Sequence, residues 1–346
     1  MAWSATDATA IDDLGLRRTG VTMDDTQLSL HVPAREIPVP TFLSPEAQAV
    51  LGMGRFEEAE YPALDDLGAW RAMIETRDAQ VLAMVEPRAA LVQAAVVETD
   101  LDGVKTFLIT PQGVREDDPR VSLEIHGGGL IMGGGACCRA MGMNSTDASG
   151  ARTWAIDYRM PPDDPYPAPL DDCLTAYRAL LRVHRPEDII VRGGSAGGNL
   201  AAALILRARD EGLPLPAAAV LMTPELDLTE SGDSFHTNLG VDSVLTQSLM
   251  PANLLYAGGH DLAHPYLSPL FGDFTKGFPP TFLATGTRDL FLSNTVRMHR
   301  ALRAADISAE LHVLESAPHG GFFGAAPEDA ALVWEIRRFC DTHWTG

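Results

Sequence analysis

Three short stretches of this chain carry residues that can do acyl-transfer chemistry. In Gly193-Gly194-Ser195-Ala196-Gly197 one hydroxyl stands among nearly side-chain-free neighbours. This is the G-x-S-x-G spacing that lets a serine occupy a sharp, strained turn between a strand and a helix. In His126-Gly127-Gly128-Gly129 the glycines leave the backbone bare. The N–H groups of Gly128 and Gly129 can therefore approach a developing oxyanion, and the N–H of Ala196, next to the serine, is a third donor. In Pro318-His319-Gly320-Gly321 a histidine follows an apolar run and can act as the base. Acyl transfer by serine also needs an acid to orient that base. Asp289 ends the stretch Thr281-Phe282-Leu283-Ala284-Thr285-Gly286-Thr287-Arg288-Asp289 and is expected at a strand's C-terminal end, where ligands gather in open α/β sheets. Glu315 is the alternative acid, weaker because it lies on the same excursion as His319.

Each piece alone has a plainer reading: a Gly-rich turn, a packed histidine, a turn histidine, a capping aspartate. What joins them is chain order, serine then acid then histidine, with each at the end of a strand-like run. His126 is expected to hold its loop and not to act as the base. Of the histidines after Ser195, His299, His312 and His343 fall in helical or strand patterns. His236, His260 and His264 precede the acid, in or beside an irregular segment.

The elements that must position these residues read as an α/β class. Strand-like runs at 92–99 and 104–109 flank Asp100-Leu101-Asp102-Gly103, a hairpin signal. Further strands are expected at 121–125, 153–157, 189–192, 217–221, 281–284 and 310–314, and helices at 170–184, 196–211, 293–305 and 328–343. Eight strands, most of them alternating with helices, predict a mostly parallel sheet covered on both faces. Residues 1–90 have a different texture, punctuated by proline, with short helical patterns at 45–53 and 67–84. They are expected to form the N-terminal part of a mainly helical cap over a catalytic domain at 91–346. A second cap segment is expected at about 229–264, where a Ser-, Gly- and Asp-rich insertion interrupts the alternation.

Composition narrows the function classes. The formal net charge of −21 disfavours nucleic acid and anionic membrane surfaces as partners. Hydrophobic content of 46% and charged content of 21% are those of an ordinary globular protein. Cys137, Cys138, Cys173 and Cys340 match no zinc or redox spacing, so no metal or cofactor is expected and a reducing compartment is the default. No secretory pattern opens the chain and no apolar run approaches membrane-spanning length, which reads as cytoplasmic.

Taken together, these motifs resemble the hormone-sensitive-lipase-like α/β-hydrolases, the HGGG carboxylesterases. The resemblance covers roughly residues 90–340. It rests on His126-Gly127-Gly128-Gly129, Gly193-Gly194-Ser195-Ala196-Gly197-Gly198-Asn199 and His319-Gly320-Gly321-Phe322. Asp157-Tyr158-Arg159-Met160-Pro161-Pro162, Tyr166-Pro167-Ala168, Ser268-Pro269-Leu270 and Gly277-Phe278-Pro279-Pro280-Thr281 add to it. It implies an α/β-hydrolase fold, Ser195 as nucleophile, Asp289 as acid, His319 as base, and Gly128, Gly129 and Ala196 as the oxyanion hole. It also implies a cap built from an N-terminal region plus a later insertion.

The expected activity is that of a serine carboxylesterase on small to medium esters through an acyl-enzyme, with a small-molecule partner. Leu130, Met132, Phe235 and Phe322 are expected as pocket walls. Lactone, amide or carbamate hydrolysis would use the same residues. A non-catalytic small-molecule-binding protein on this fold is the alternative of a different class, and a homodimer is compatible with either. The chain departs from the family pattern at Gly194, where an acidic residue is usual. It departs again at Leu130, where an aromatic is usual, and at 290–294, which lacks a second acidic residue after Asp289.

Overall fold

A computed structural model describes Leu30, residues 32–58 and residues 60–344. The chain divides between Pro38 and Val39, and every described helix and strand lies in the part from Val39 onward. Of the expected 1–90 cap segment, residues 1–29, 31 and 59 lie outside the described residues. Its remainder contains two helices, α1 (Pro45–Gly52) and α2 (Leu67–Ala89). Each starts on a side-chain cap that satisfies an otherwise orphaned N–H. Ser44 Oγ accepts from Ala47 N at 3.1 Å, and Asp66 Oδ1 accepts from Ala69 N at 3.0 Å. α2 runs on past the expected end at residue 84, carrying Pro87 within its last turn.

Eight strands follow: β1 (Ala94–Leu101), β2 (Val104–Pro111), β3 (Val121–Ile125), β4 (Arg152–Ile156), β5 (Ile189–Gly194), β6 (Ala218–Met222), β7 (Thr281–Gly286) and β8 (Ala309–Leu314). They form one sheet in the order β1-β2-β4-β3-β5-β6-β7-β8. β1 with β2 and β2 with β4 are antiparallel, and all other neighbours are parallel. The central strands are mostly apolar, with exceptions such as Ser122 and Glu124 in β3 and Arg192 in β5, and are buried along nearly their whole length, as a parallel sheet covered on both faces requires.

Successive side chains of each strand leave on opposite faces. Val191, Leu221 and Leu283 pack with α4 (Ala168–Leu181) and α5 (Ala196–Asp210) through Leu174, Leu200 and Leu204. Their neighbours Ile190, Val220 and Phe282 pack on the other face with Ile336, Phe339 and Cys340 of α9 (Pro327–His343). Each such fully buried side chain is worth about 1.5–3 kcal/mol. α8 (Leu292–Ala304) connects β7 to β8.

One helix is unannounced by periodicity. α3 (Ala136–Ser149) follows Gly133-Gly134-Gly135 and is rich in small and polar residues. It is set by close packing: a Cβ at Gly142 would come within 2.6 Å of Ala155 Cβ. Within 229–264, α6 (Ser234–Thr237) and α7 (Met250–Ala257) are joined by irregular chain. The C-terminal ends of β3, β5, β7 and β8 lead into the loops that carry Gly128, Ser195, Asp289 and His319, so the topology brings all four segments to one edge of the sheet.

Candidate active site

β5 ends at Gly194 and α5 begins at Ala196, so Ser195 makes the turn by itself, at φ +56° and ψ −124°. A non-glycine residue held there stores strain of order 1–3 kcal/mol and persists only when its surroundings over-determine it. They do so here. Ser195 N donates to Met222 O at 2.8 Å, while Ser195 O accepts from Gly198 N at 2.9 Å and Glu225 N at 3.1 Å. The glycines two before and two after are required by close approach. A Cβ on Gly193 would lie 2.2 Å from Gly197 O, and one on Gly197 would lie 2.0 Å from Ile125 O. Gly194 is different, because a Cβ there would meet only Met222 O at 3.7 Å and Met222 Cβ at 3.9 Å. Sterics therefore do not impose glycine at that position.

His319 Nε2 lies 2.9 Å from Ser195 Oγ, and His319 Nδ1 lies 3.0 Å from Asp289 Oδ1. A carboxylate only accepts, which assigns the ring proton to Nδ1 and leaves Nε2 to accept from the serine hydroxyl. Asp289 is itself fully engaged. Oδ1 also accepts from Phe291 N at 2.9 Å, and Oδ2 accepts from Thr285 Oγ1 at 2.7 Å. Glu315 is exposed and reaches only Ser316 Oγ, so Asp289 is the acid that meets His319.

Two residues that tie this arrangement together escaped sequence reasoning. Asn238 Nδ2 donates to Asp289 O at 2.8 Å and to Thr287 O at 3.2 Å. Asp242, fully buried, accepts from His319 N at 3.3 Å and Val244 N at 2.9 Å on Oδ1, and from Leu290 N at 2.8 Å on Oδ2. The acidic residue missing from 290–294 thus has a counterpart from the inserted segment, bonded to the loops of both acid and base.

Burial pulls the His319 pKa down, but the Asp289 charge and hydrogen bond, followed by Asp242 and Glu225, raise it, and the net position is above 6.5. A general base must be neutral to accept a proton, so kcat/KM should rise with pH through a midpoint above 6.5. Replacing Asp242 by asparagine removes one of the raising charges, so the midpoint should move down. It also turns an amide N–H toward Leu290 N–H, a mismatch worth about 1–3 kcal/mol of stability. A pH–rate profile alongside thermal melts checks both. A midpoint that stays put while the melting temperature falls would leave Asp242 a purely structural clamp.

The HGGG loop packs on the serine turn: a Cβ on Gly127 would lie 2.9 Å from Gly194 O. Gly128 sits at φ +129° and Gly129 at φ +59°, and a Cβ on Gly128 would lie 2.1 Å from Met132 O. Among the described residues, the N–H groups of Gly128, Gly129 and Ala196 have no protein acceptor, as donors for a reacting oxygen require. His126 is held by its own loop and by Tyr158. Its Nδ1–H donates to Gly127 O at 2.8 Å, its ring stacks on Tyr158 at 4.1 Å, and Tyr158 Oη donates to His126 O at 2.8 Å. Burial holds its pKa down at about 4.

A cavity of about 490 Å³ has Ser195, His319, Gly128, Gly129, Met132 and Glu225 in its wall. A second of about 570 Å³ shares Met132, Val244, Leu245 and Leu249 with it and reaches Tyr61, Met73 and Met84. Met132 therefore lines both. The other three expected pocket walls are corrected. Leu130, at φ +64°, turns into the main core and is fully buried. Phe235 packs behind the acid loop against Leu290 and Phe291, while the neighbouring Leu245 and Leu249 face the cavity. Phe322 is buried among Leu43, Ala47, Val50 and Ala317. In each case the apolar side chain is packed into a buried cluster.

Among the described residues, His126, Cys138 and Asp157 bring donor atoms within 4.8 Å of one another. They fit a metal poorly. Asp157 Oδ1 accepts from Gly135 N at 2.8 Å, and Oδ2 lies 3.5 Å from Lys105 Nζ. Burial raises the Cys138 thiol well above its ordinary value, against thiolate ligation.

The geometry can be set beside known proteins. A family profile described as α/β hydrolase fold matches residues 122–323. An acetyl-hydrolase of Streptomyces hygroscopicus is 37% identical over 194 residues, covering 56% of this chain and 63% of that protein. An esterase of Acinetobacter venetianus is 33% identical over 186 residues, covering 53% and 61%. The matches thus span less than two thirds of either relative's own length. Among solved structures, an esterase superposes with a TM-score of 0.82 at 33% identity, covering 91% of this chain and 99% of that one. An esterase from the bacterial hormone-sensitive lipase family superposes with a TM-score of 0.75 at 30% identity, covering 87% and 98%.

Proposed function

The chain belongs to the hormone-sensitive-lipase-like family of α/β-hydrolases, and from that premise we propose that it is a serine carboxylesterase acting on small to medium carboxylic esters. The observation that carries this reading is the Ser195–His319–Asp289 hydrogen-bond chain, at 2.9 Å and 3.0 Å, with Ser195 opening on the 490 Å³ cavity.

In the proposed reaction His319 Nε2 accepts the Ser195 hydroxyl proton as Oγ attacks the ester carbonyl. The N–H groups of Gly128, Gly129 and Ala196 meet the oxyanion that forms, helped by the N-terminus of α5. His319 then gives its proton to the departing alcohol oxygen, leaving the acyl group on Ser195. Water enters and attacks the acyl carbonyl as His319 takes one of its protons; the bond to Ser195 Oγ then breaks, His319 returns the proton to Oγ, and the acid is released. Asp289 stays ionised and stabilises the imidazolium. No cofactor takes part.

We read α2 with the 229–264 segment as a cap. Trp70, Met73 and Ile74 of α2 pack with Ala252 and Leu255 of α7 around Ile131 and Met132, which supports this. Among the described residues no helix is long and apolar enough to cross a membrane. The four cysteines are free and buried, which supports a cytoplasmic enzyme, acting singly or as a homodimer.

A panel of p-nitrophenyl esters of graded chain length tests the reading. Cavities of 490 and 570 Å³ lie in the range of small-ligand sites. kcat/KM should therefore peak at acyl chains of about four to eight carbons and fall about 10-fold or more for the palmitoyl ester. No hydrolysis anywhere on the panel would favour the non-catalytic binding reading.

A further inference from the structure

Glu225 is an acidic side chain inside the catalytic cavity that the reaction above does not use. It is 1% exposed and in the same cavity wall as Ser195, Gly194 and His319. Among the described residues neither of its carboxyl oxygens has a hydrogen-bond partner. Its placement is not accidental slack. The Glu225 N–H donates to Ser195 O at 3.1 Å, and Asn199 Nδ2 donates to Glu225 O at 2.7 Å. The preceding turn is pinned by Thr223 N donating to Ala284 O at 2.7 Å, with Pro224 seated where a Cβ on Gly198 would come within 2.7 Å of it. The backbone is thus bonded to the nucleophile's own carbonyl, while the side chain is left unpaired. The Asn253 amide is within reach of the carboxyl and lowers its pKa, but its Nδ2 donates to Leu228 O at 3.3 Å.

A buried polar group without a partner is costly, and native structures keep one where a ligand completes it. The cavity wall also holds Arg88, Glu124 and Asp329, and the rest of it is mostly glycines and apolar residues such as Met132, Val244, Leu245 and Leu249. The surrounding groups set the form of the carboxyl. Burial pushes the Glu225 pKa up to about 8, Glu230 adds to this, and His319 and Asn253 oppose it. Burial thus favours the neutral carboxylic acid, which can both donate and accept. Its natural complement is a hydroxyl, which does the same.

Resting on the esterase reading, we propose that Glu225 is a specificity-determining residue that hydrogen-bonds a hydroxyl carried by the ester close to the scissile bond. The substrate class is then a short hydroxy-substituted ester, not a plain alkanoyl ester. An ester whose hydroxyl completes this otherwise unpaired carboxyl is favoured over the analogue lacking it.

The test compares matched substrates by pH-stat titration at pH 7. On the acyl side, methyl 3-hydroxybutyrate is set against methyl butyrate. On the alcohol side, 2-hydroxyethyl butyrate is set against propyl butyrate. Wild type should favour the hydroxy member of one pair by about 10-fold in kcat/KM. Glu225→Leu should abolish that preference, and Glu225→Gln, which keeps a donor and an acceptor, should retain most of it. Because each reading is a ratio within one preparation, partial folding of a variant does not disturb it. Wild type indifferent in both pairs, or a preference unchanged in Glu225→Leu, overturns the proposal. Hydrolysis that survives Ser195→Ala would instead overturn the esterase mechanism beneath it, so the two failures are distinguishable.

Discussion

Replacing Ser195 by alanine should lower kcat for p-nitrophenyl butyrate by about 10⁶-fold. The substitution removes one oxygen and leaves the rest of the turn as it stands. The φ of +56° is imposed by neighbours, since Met222 O and the N–H groups of Gly198 and Glu225 hold the Ser195 backbone and do not depend on its side chain. Alanine tolerates this backbone no better and no worse than serine. Stability should therefore change by no more than the net value of one hydrogen bond, about 0.5–1.5 kcal/mol. Residual catalysis of about 10³–10⁴ over water would come from the oxyanion donors and from binding. A second readout is independent of turnover: a serine-reactive phosphonate should label wild type once and leave Ser195→Ala unlabelled. Activity within about 100-fold of wild type, in a preparation free of contaminating esterase, would remove Ser195 from the mechanism.

The strained turn at Ser195 is legible in the sequence because its environment is written in glycine. A strained turn with backbone oxygens 2.0 and 2.2 Å from the would-be Cβ positions of Gly197 and Gly193 excludes every other residue, so the constraint is local and leaves a local mark. The HGGG loop is legible for the same reason at Gly128. The meeting of His319 and Asp289 beside Ser195 is legible because an alternating strand–helix chain delivers loops to one sheet edge in a defined order. The pocket walls are not. Leu130, Phe235 and Phe322 are apolar residues flanking catalytic loops, and residue type cannot say which side of a loop a side chain takes. Here all three turn to cores, and the cavity is walled by Met132, Leu245 and Leu249.

Asp242, Asn238 and Glu225 were missed for a related reason. Each is a lone polar residue in irregular chain, and its importance lies in contacts with segments distant in sequence. The 229–264 insertion, which we propose as part of a cap, braces the loops of Asp289 and His319 through Asp242 and Asn238. Similarly, α3 lacks an apolar stripe and is specified by the fit of Gly142 against Ala155 and Ile109, which no periodicity reports.

Asp289→Asn isolates what the buried acid contributes once geometry is kept. Phe291 N–H and His319 Nδ1–H both point at Oδ1, at 2.9 and 3.0 Å. Two converging donors fix the asparagine carbonyl oxygen in that position and send its NH₂ toward Thr285 Oγ1, whose hydroxyl can rotate to accept. The fold and the His319 tautomer should therefore survive. What is lost is the charge opposite the imidazolium that forms when Ser195 gives up its proton, in a site where Asp289 is fully buried and solvent cannot substitute. kcat should fall by about 10²–10⁴-fold, the upper end applying if the amide flips and forces the proton onto Nε2.

The pH–rate profile separates this from simple misfolding. Asp289 is the largest of the influences that raise the His319 pKa against burial, so the residual activity should titrate at a lower pH than wild type. Glu315→Gln serves as the control. That side chain is exposed and away from His319 Nδ1, so kcat should stay within about threefold. If Glu315→Gln instead lost activity while Asp289→Asn kept it, the acid would have to be sought on the β8 excursion, and the 3.0 Å contact between His319 and Asp289 would have no catalytic role.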